Sequence, residues 1–118
     1  MFNNLFGFGK TGHAFEEITP HQLEQKRSGD EPVQIIDVRE AYEYREGHIP
    51  DSKLIPLGQL SNRLHELGPK TREVIVVCRS GGRSGQAAHQ LAGLGFNKVV
   101  NLRGGTMGWM RAGLPLER

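Results

Sequence analysis

The sequence predicts an α/β fold: a central, mostly parallel five-stranded sheet with helices on both faces. Two observations carry that expectation. Strand-like apolar runs alternate with helical segments from Phe15 to the end, the pattern that β-α units make around a parallel sheet. Val74-Ile75-Val76-Val77 is an unbroken β-branched run, which suits a strand covered on both faces.

The elements follow in order. Phe15-Glu16-Glu17-Ile18 is a short first strand. Thr19 is placed to cap a helix, with Pro20 at its first position and Gln22 completing a capping box; Gly29 and Asp30 end it. Val33 to Val38 is a mostly apolar strand, followed by a charged helical segment that stops at Gly47. Lys53 to Leu57 is a shorter strand. Leu60, Leu64 and Leu67 lie four and three apart, one apolar stripe on a helix ended by Gly68-Pro69. After Val74–Val77, a helix is expected from Ser84 to Leu94, with Ala87, Ala88, Leu91 and Ala92 inward and Gly95 as cap. Val99 to Leu102 is the last strand. Gly104-Gly105 then turns the chain into a short helix, which Trp109 and Met110 pack against the sheet. No repeat, linker or second domain is visible. Residues 1–14 read as a flexible N-terminal tail and 15–118 as the domain, with Phe2, Leu5, Phe6 and Phe8 as candidates to dock onto the domain or a partner.

Bulk properties narrow the function. A chain of 118 residues is long enough to bury a core without staples. A net charge of +2, spread along the chain, is too small to argue for nucleic acid. No apolar run approaches membrane-spanning length, and the first residues lack the basic and apolar regions of a signal peptide. The single cysteine, Cys78, forbids an internal disulfide and fits a reducing compartment, the cytoplasm. The five histidines are scattered without zinc-ligand spacing, so no metal or organic cofactor is implied.

Cys78 is where chemistry is expected. Ligands of open α/β sheets bind beyond the carboxyl ends of the strands, and Cys78 directly follows Val77. Gly81 and Gly82 let the backbone curl into an anion-binding nest. The helix beginning at Ser84 adds its positive end, and Arg79 and Arg83 supply fixed positive charge. A thiol so placed ionises below its ordinary pKa of about 8.5. A buried inert cysteine is the bland alternative, but an inert strand end needs neither the glycine pair nor the arginines.

The segment Cys-Arg-Ser-Gly-Gly-Arg-Ser, Cys78 to Ser84, resembles the active-site loop of rhodanese domains. Ile35–Glu40 (IIDVRE), Gly47–Ser52 (GHIPDS), Asn101–Gly105 (NLRGG) and the GW and GLP pieces near the C-terminus resemble the same family, in the same order. The family pattern carries Gly or Ala where Asp51 stands, a turn position. The resemblance implies a rhodanese-like fold and a sulfurtransferase that moves a sulfane sulfur from a small anionic donor such as thiosulfate. Cys78 would be the persulfide-forming nucleophile, with Arg79, Ser80, Gly81, Gly82, Arg83 and Ser84 binding substrate and Arg83 closing the ring. The acceptor, cyanide or an external thiol or protein, comes from outside the chain. Asp37, Arg39 and Glu40 match a structural signature. Arg45 reads as a solvated helix charge and His48 as a turn residue rather than a general base.

Three rivals are set aside. Gly7-Phe8-Gly9-Lys10-Thr11-Gly12 fits a dinucleotide motif but has no strand before it and no clear helix after it, and Gly9-Lys10-Thr11 mimics the end of a P-loop whose first glycine would fall on Asn4. Cysteine phosphatases separate Cys and Arg by five residues, whereas four intervene between Cys78 and Arg83. Non-catalytic binding modules of the family commonly lack the cysteine.

Overall fold

The computed structural model describes residues 15–118. The tail, its candidate docking residues and both nucleotide-like motifs lie outside the described residues. Strands β1 (Glu16–Ile18), β2 (Ile35–Asp37), β3 (Ser52–Leu54), β4 (Val74–Val77) and β5 (Val99–Leu102) form one sheet in the order β1-β5-β4-β2-β3. Every pairing is parallel, so the sheet is wholly rather than mostly parallel.

All four residues of β4 are buried, and the alternation of a strand divides them between two cores. Val74, Val76 and Cys78 belong to one, with Ala87, Ala88 and Leu91 of helix α3 (Gly82–Gly93). Ile75 and Val77 belong to the other, with Leu23 of α1 (Pro20–Arg27) and Trp109 of α4 (Gly105–Arg111). This division positions the site. β4 and β5 are neighbours, yet the helices that follow them pack on opposite faces. A crevice opens where such connections diverge. Cys78 leaves β4 there, and Arg103-Gly104-Gly105 leaves β5 beside it.

The capping box of α1 forms: the Gln22 N–H donates to Thr19 Oγ1 at 3.2 Å, and the Thr19 N–H to Gln22 Oε1 at 3.0 Å. Asp51 takes the turn conformation at φ 74°, the one non-glycine residue with positive φ among those described. Asp tolerates that conformation better than most side chains, which accounts for its standing where the family pattern has Gly or Ala.

Three expectations need correction. Leu60, Leu64 and Leu67 do not share one α-helix. They lie on two 3₁₀ segments, Leu57–Asn62 and Leu64–Leu67, separated at Arg63, whose φ of −126° is not helical. Leu60 and Leu67 are still fully buried, so the packing demand is met; Gly58, Ser61 and Asn62 are weak α-formers. Met110 is half exposed and does not pack α4 down, a task left to the buried Trp109, whose Nε1–H donates to the Pro115 carbonyl at 2.8 Å. The third concerns α3, which starts at Gly82 with Gly81 as its N-cap, two residues before Ser84.

Helix α2 (Ala41–Glu46) has no buried residue and is held from outside itself. Asp37 and Arg39, both buried, form a double hydrogen-bonded ion pair with contacts of 2.8 to 3.0 Å, and Arg39 Nη2 also donates to the Gly47 carbonyl at 2.8 Å. The end of β2 is thereby tied to the end of α2. Among the described residues, no helix is long and apolar enough to cross a membrane.

Candidate active site

Cys78 is 1 % exposed. Its sulfur sits under the loop that leaves β4, and the donors around it are specific. The Gly81 N–H donates to Sγ at 3.0 Å, the Ser84 hydroxyl lies 3.3 Å from it, and the Ser80 and Ser84 backbone N–H groups also face it. A reason for this convergence lies in α4. The Thr106 N–H donates to the Cys78 carbonyl at 2.9 Å and the Met107 N–H to the Arg79 carbonyl at 3.0 Å. In a trans peptide the N–H points opposite the C=O. Pinning the Arg79 carbonyl toward α4 therefore turns the Ser80 N–H back toward the sulfur. The unpaired donors at the start of α4 and the loop carbonyls satisfy each other.

Burial pushes the Cys78 thiol up, but the Ser84 hydroxyl and the N–H groups of Ser84, Gly81 and Ser80 outweigh it. The thiol ends below its ordinary value, in the direction the sequence suggested. Hydrogen bonding to the anion is what outweighs burial.

Gly81 meets the expectation of a tight curl, with φ 113° and ψ −15°. Gly82 does not. It is an ordinary helical residue, and a Cβ there would meet nothing within 4 Å. The arginines also part company. Arg79 is exposed and, among the described residues, pairs with no carboxylate. Arg83 gives Glu43 two hydrogen bonds, Nη1 to Oε1 at 2.7 Å and Nη2 to Oε2 at 2.9 Å. Its charge is thus already matched, rather than standing free over the ring. The Arg83 hydrogen bonds hold the Glu43 carboxyl at about 2 against the effect of burial, helped by the Glu40 N–H. Glu43 in turn raises Arg83, opposed by burial and reinforced by the nearby Cys78 thiolate and Tyr42. Ser80 and Gly82 are exposed and Ser84 is buried.

Sequence reasoning missed two residues here. Glu43 joins the site from α2, forty residues from its partner in the chain, and nothing in the local pattern of α2 marks it. Asn101 is buried on β5; its Oδ1 lies 2.5 Å from the Ser84 hydroxyl, whose single proton is shared between Oδ1 and Sγ, and its Nδ2 donates to the Gly81 carbonyl at 3.3 Å. Its signal was available: one amide inside the apolar strand Val99-Val100-Asn101-Leu102. His48 lies where the turn reading put it, stacked on Tyr44 at 3.7 Å with Nδ1 2.9 Å from the Tyr44 carbonyl. Its backbone pairs with that of Glu117. Arg45 is exposed on α2. A crevice of about 280 Å³ lined by Phe15, Glu73, Lys98 and neighbours lies at the amino ends of β4 and β5, the far end of the sheet from Cys78.

Ser84→Ala tests the hydroxyl. Without it the thiol is expected to titrate higher, so the pH midpoint of iodoacetamide alkylation moves up. The midpoint is the reporter, since burial slows the absolute rate in both proteins. A thiol whose folded pKa lies below its unfolded one adds stability above the unfolded pKa and loses it as pH falls through the folded value. The stability gap between wild type and variant should therefore widen as pH rises toward the ordinary thiol range, over a constant loss of roughly 1–3 kcal/mol from leaving Asn101 Oδ1 without its donor. An unmoved midpoint would remove the hydroxyl from the account.

This geometry has known counterparts. The family profile described as Rhodanese-like domain matches residues 19–112. A sulfurtransferase of Allochromatium vinosum is 41% identical over 100 residues, which span 85% of this chain and 92% of that protein. The thiosulfate sulfurtransferase GlpE of Actinobacillus pleuropneumoniae serotype 7 is 33% identical, over 87% of this chain and 94% of its own. Among solved structures, a rhodanese-like domain protein from Staphylococcus aureus superimposes with a TM-score of 0.78 at 34% identity, covering 88% of this chain and all of that one.

Proposed function

The chain belongs to the rhodanese-like domain family, and from that premise we propose that Cys78 carries sulfane sulfur as a persulfide between a donor such as thiosulfate and a thiophilic acceptor. Sulfur transfer in general is what the family and the named relatives support. One observation carries the finer reading: a single thiol, lowered in pKa, at the focus of loop N–H groups and the Ser84 hydroxyl.

The chemistry follows from those donors. The Cys78 thiolate attacks the outer sulfur of thiosulfate. An S–S bond forms as the original one breaks, and sulfite leaves with the electron pair. The Ser80, Gly81 and Ser84 N–H groups then hold the persulfide anion, with Arg79 exposed on the same loop. Cyanide, an external thiol or a protein thiol attacks the outer sulfur and takes it away. The departing group is the Cys78 thiolate, so the donors that favour its formation also make it a good leaving group. No second cysteine exists to resolve the persulfide within the chain. A lone cysteine kept for this use suits a reducing compartment such as the cytoplasm.

The direct test is intact mass after incubation with thiosulfate and removal of small molecules. The expected result is a gain of one sulfur atom, lost on adding cyanide with formation of thiocyanate. A protein that gains no sulfur from thiosulfate or from any persulfide would overturn the reading.

A further inference from the structure

Arg79 and Arg83 are the two cations of the loop, and the structure treats them unequally. Arg83 directs its charge to Glu43 through the paired contacts of 2.7 and 2.9 Å. Glu43 is fixed for that purpose. It lies in the first turn of α2, its Oε1 also accepts the Glu40 N–H at 2.9 Å, and α2 is anchored through Arg39 and the Gly47 carbonyl. It is ionised at any working pH, being held at about 2. The first 14 residues contain no Asp or Glu, so they bring no carboxylate to Arg79.

The local charges therefore cancel. The Cys78 thiolate and Glu43 each contribute one negative charge, Arg79 and Arg83 one positive charge each. A doubly charged donor entering this mouth finds no net attraction, and its second charge is left without a cation. A donor with one charge or none loses little there.

We propose that Glu43 is a specificity-determining residue, which by neutralising Arg83 directs Cys78 toward low-molecular-weight persulfides and away from the thiosulfate dianion. This rests on the sulfurtransferase reading above and narrows its donor class. The step balances without an external oxidant or reductant. Sγ attacks the outer sulfur of R–S–SH, the Sγ–S bond forms, the R–S–S bond breaks between its two sulfurs, and the electron pair leaves on RS⁻. The outer sulfur keeps its proton.

The test compares kcat/KM for thiosulfate with kcat/KM for cysteine persulfide, which is net neutral as R–S–SH and carries one net negative charge when ionised, both with cyanide as acceptor. In wild type the persulfide should be the better donor. Glu43→Gln keeps the length and an oxygen for the Glu40 N–H but removes the charge, leaving Arg83 uncompensated. A dianion gains about twice as much from that freed charge as a monoanion does, so the thiosulfate-to-persulfide ratio should rise roughly five- to tenfold. Glu43→Asp, which restores the carboxylate, should bring the ratio back toward the wild-type value, which a loss of mere packing would not do. A second measurement needs no variant: the wild-type thiosulfate rate should change little with ionic strength, because the mouth has no net charge to screen. A ratio unmoved by Glu43→Gln in an active protein, or a wild-type thiosulfate rate that falls steeply with salt, overturns the proposal while leaving sulfur transfer intact. Absence of sulfur uptake from both donors in wild type overturns the sulfurtransferase reading itself.

Discussion

Cys78→Ser is expected to fold as wild type does and to show no sulfur transfer above the uncatalysed background. The two side chains are close in size. The serine hydroxyl keeps a hydrogen-bonding atom in the place where the Gly81 N–H and the Ser84 hydroxyl converge, so the loop retains a partner for its donors. Chemistry is another matter. An alcohol is not ionised near neutral pH and cannot accept and release a sulfane sulfur by exchange, as a thiolate does. The variant should gain no sulfur on incubation with either donor, and thiocyanate formation should fall to the rate without protein. Circular dichroism and a melting curve close to wild type make the loss attributable to the sulfur. Retained turnover in a clean preparation would place the nucleophile elsewhere, and with one cysteine in the chain it would end the persulfide account.

What the sequence disclosed and what it hid divide along one physical line, the distance in the chain over which an interaction acts. The Cys78–Ser84 loop was legible because nucleophile, N–H donors and helix entrance are contiguous, and a glycine after a β-branched run is a local signal. The buried strands were legible for the same reason: β4 needs only its own four side chains to announce burial on both faces. The apolar stripe of Leu60, Leu64 and Leu67 was half legible. Spacings of four and three state which side faces the core, but they suit α and 3₁₀ turns nearly equally, and here the chain breaks at Arg63. Glu43 was illegible. Its meaning depends on Arg83, brought to it by α3, by the loop and by the buried Asp37–Arg39 pair that fixes α2. Met110 shows the opposite failure. An apolar residue next to Trp109 looked like core, yet adjacent helical positions point some 100° apart, and only the tryptophan faces the sheet.

Gly105→Ala should be among the most damaging single-methyl additions to this protein, because that glycine lies where α4 meets the sulfur loop. Gly105 has φ 61°, a conformation that costs a residue with a Cβ about 1–2 kcal/mol. Steric overlap does more harm than the conformation. A Cβ at this position would collide with the carbonyl oxygens of Cys78 and Arg79, backbone atoms that cannot rotate out of the way as a side chain would. Those two carbonyls accept from the Thr106 and Met107 N–H groups, so relieving the overlap means separating α4 from the loop and breaking both bonds. The expected result is a loss of roughly 3 kcal/mol or more in stability, read as a lower melting temperature or denaturant midpoint. The thiol should suffer with it. Once the Arg79 carbonyl is no longer pinned, the Ser80 N–H loses its orientation toward Sγ, and the pH midpoint of alkylation should rise toward that of a free cysteine. Gly104 offers a comparison on the same turn. It too has positive φ, at 78°, but the nearest atom to a Cβ there is the Gly108 Cα at 3.4 Å, an ordinary contact. Gly104→Ala should therefore lose the conformational part alone and leave the alkylation midpoint nearly in place. If Gly105→Ala melts like Gly104→Ala and keeps the wild-type midpoint, then α4 does not hold the loop, and the convergence of N–H groups on Cys78 needs another cause.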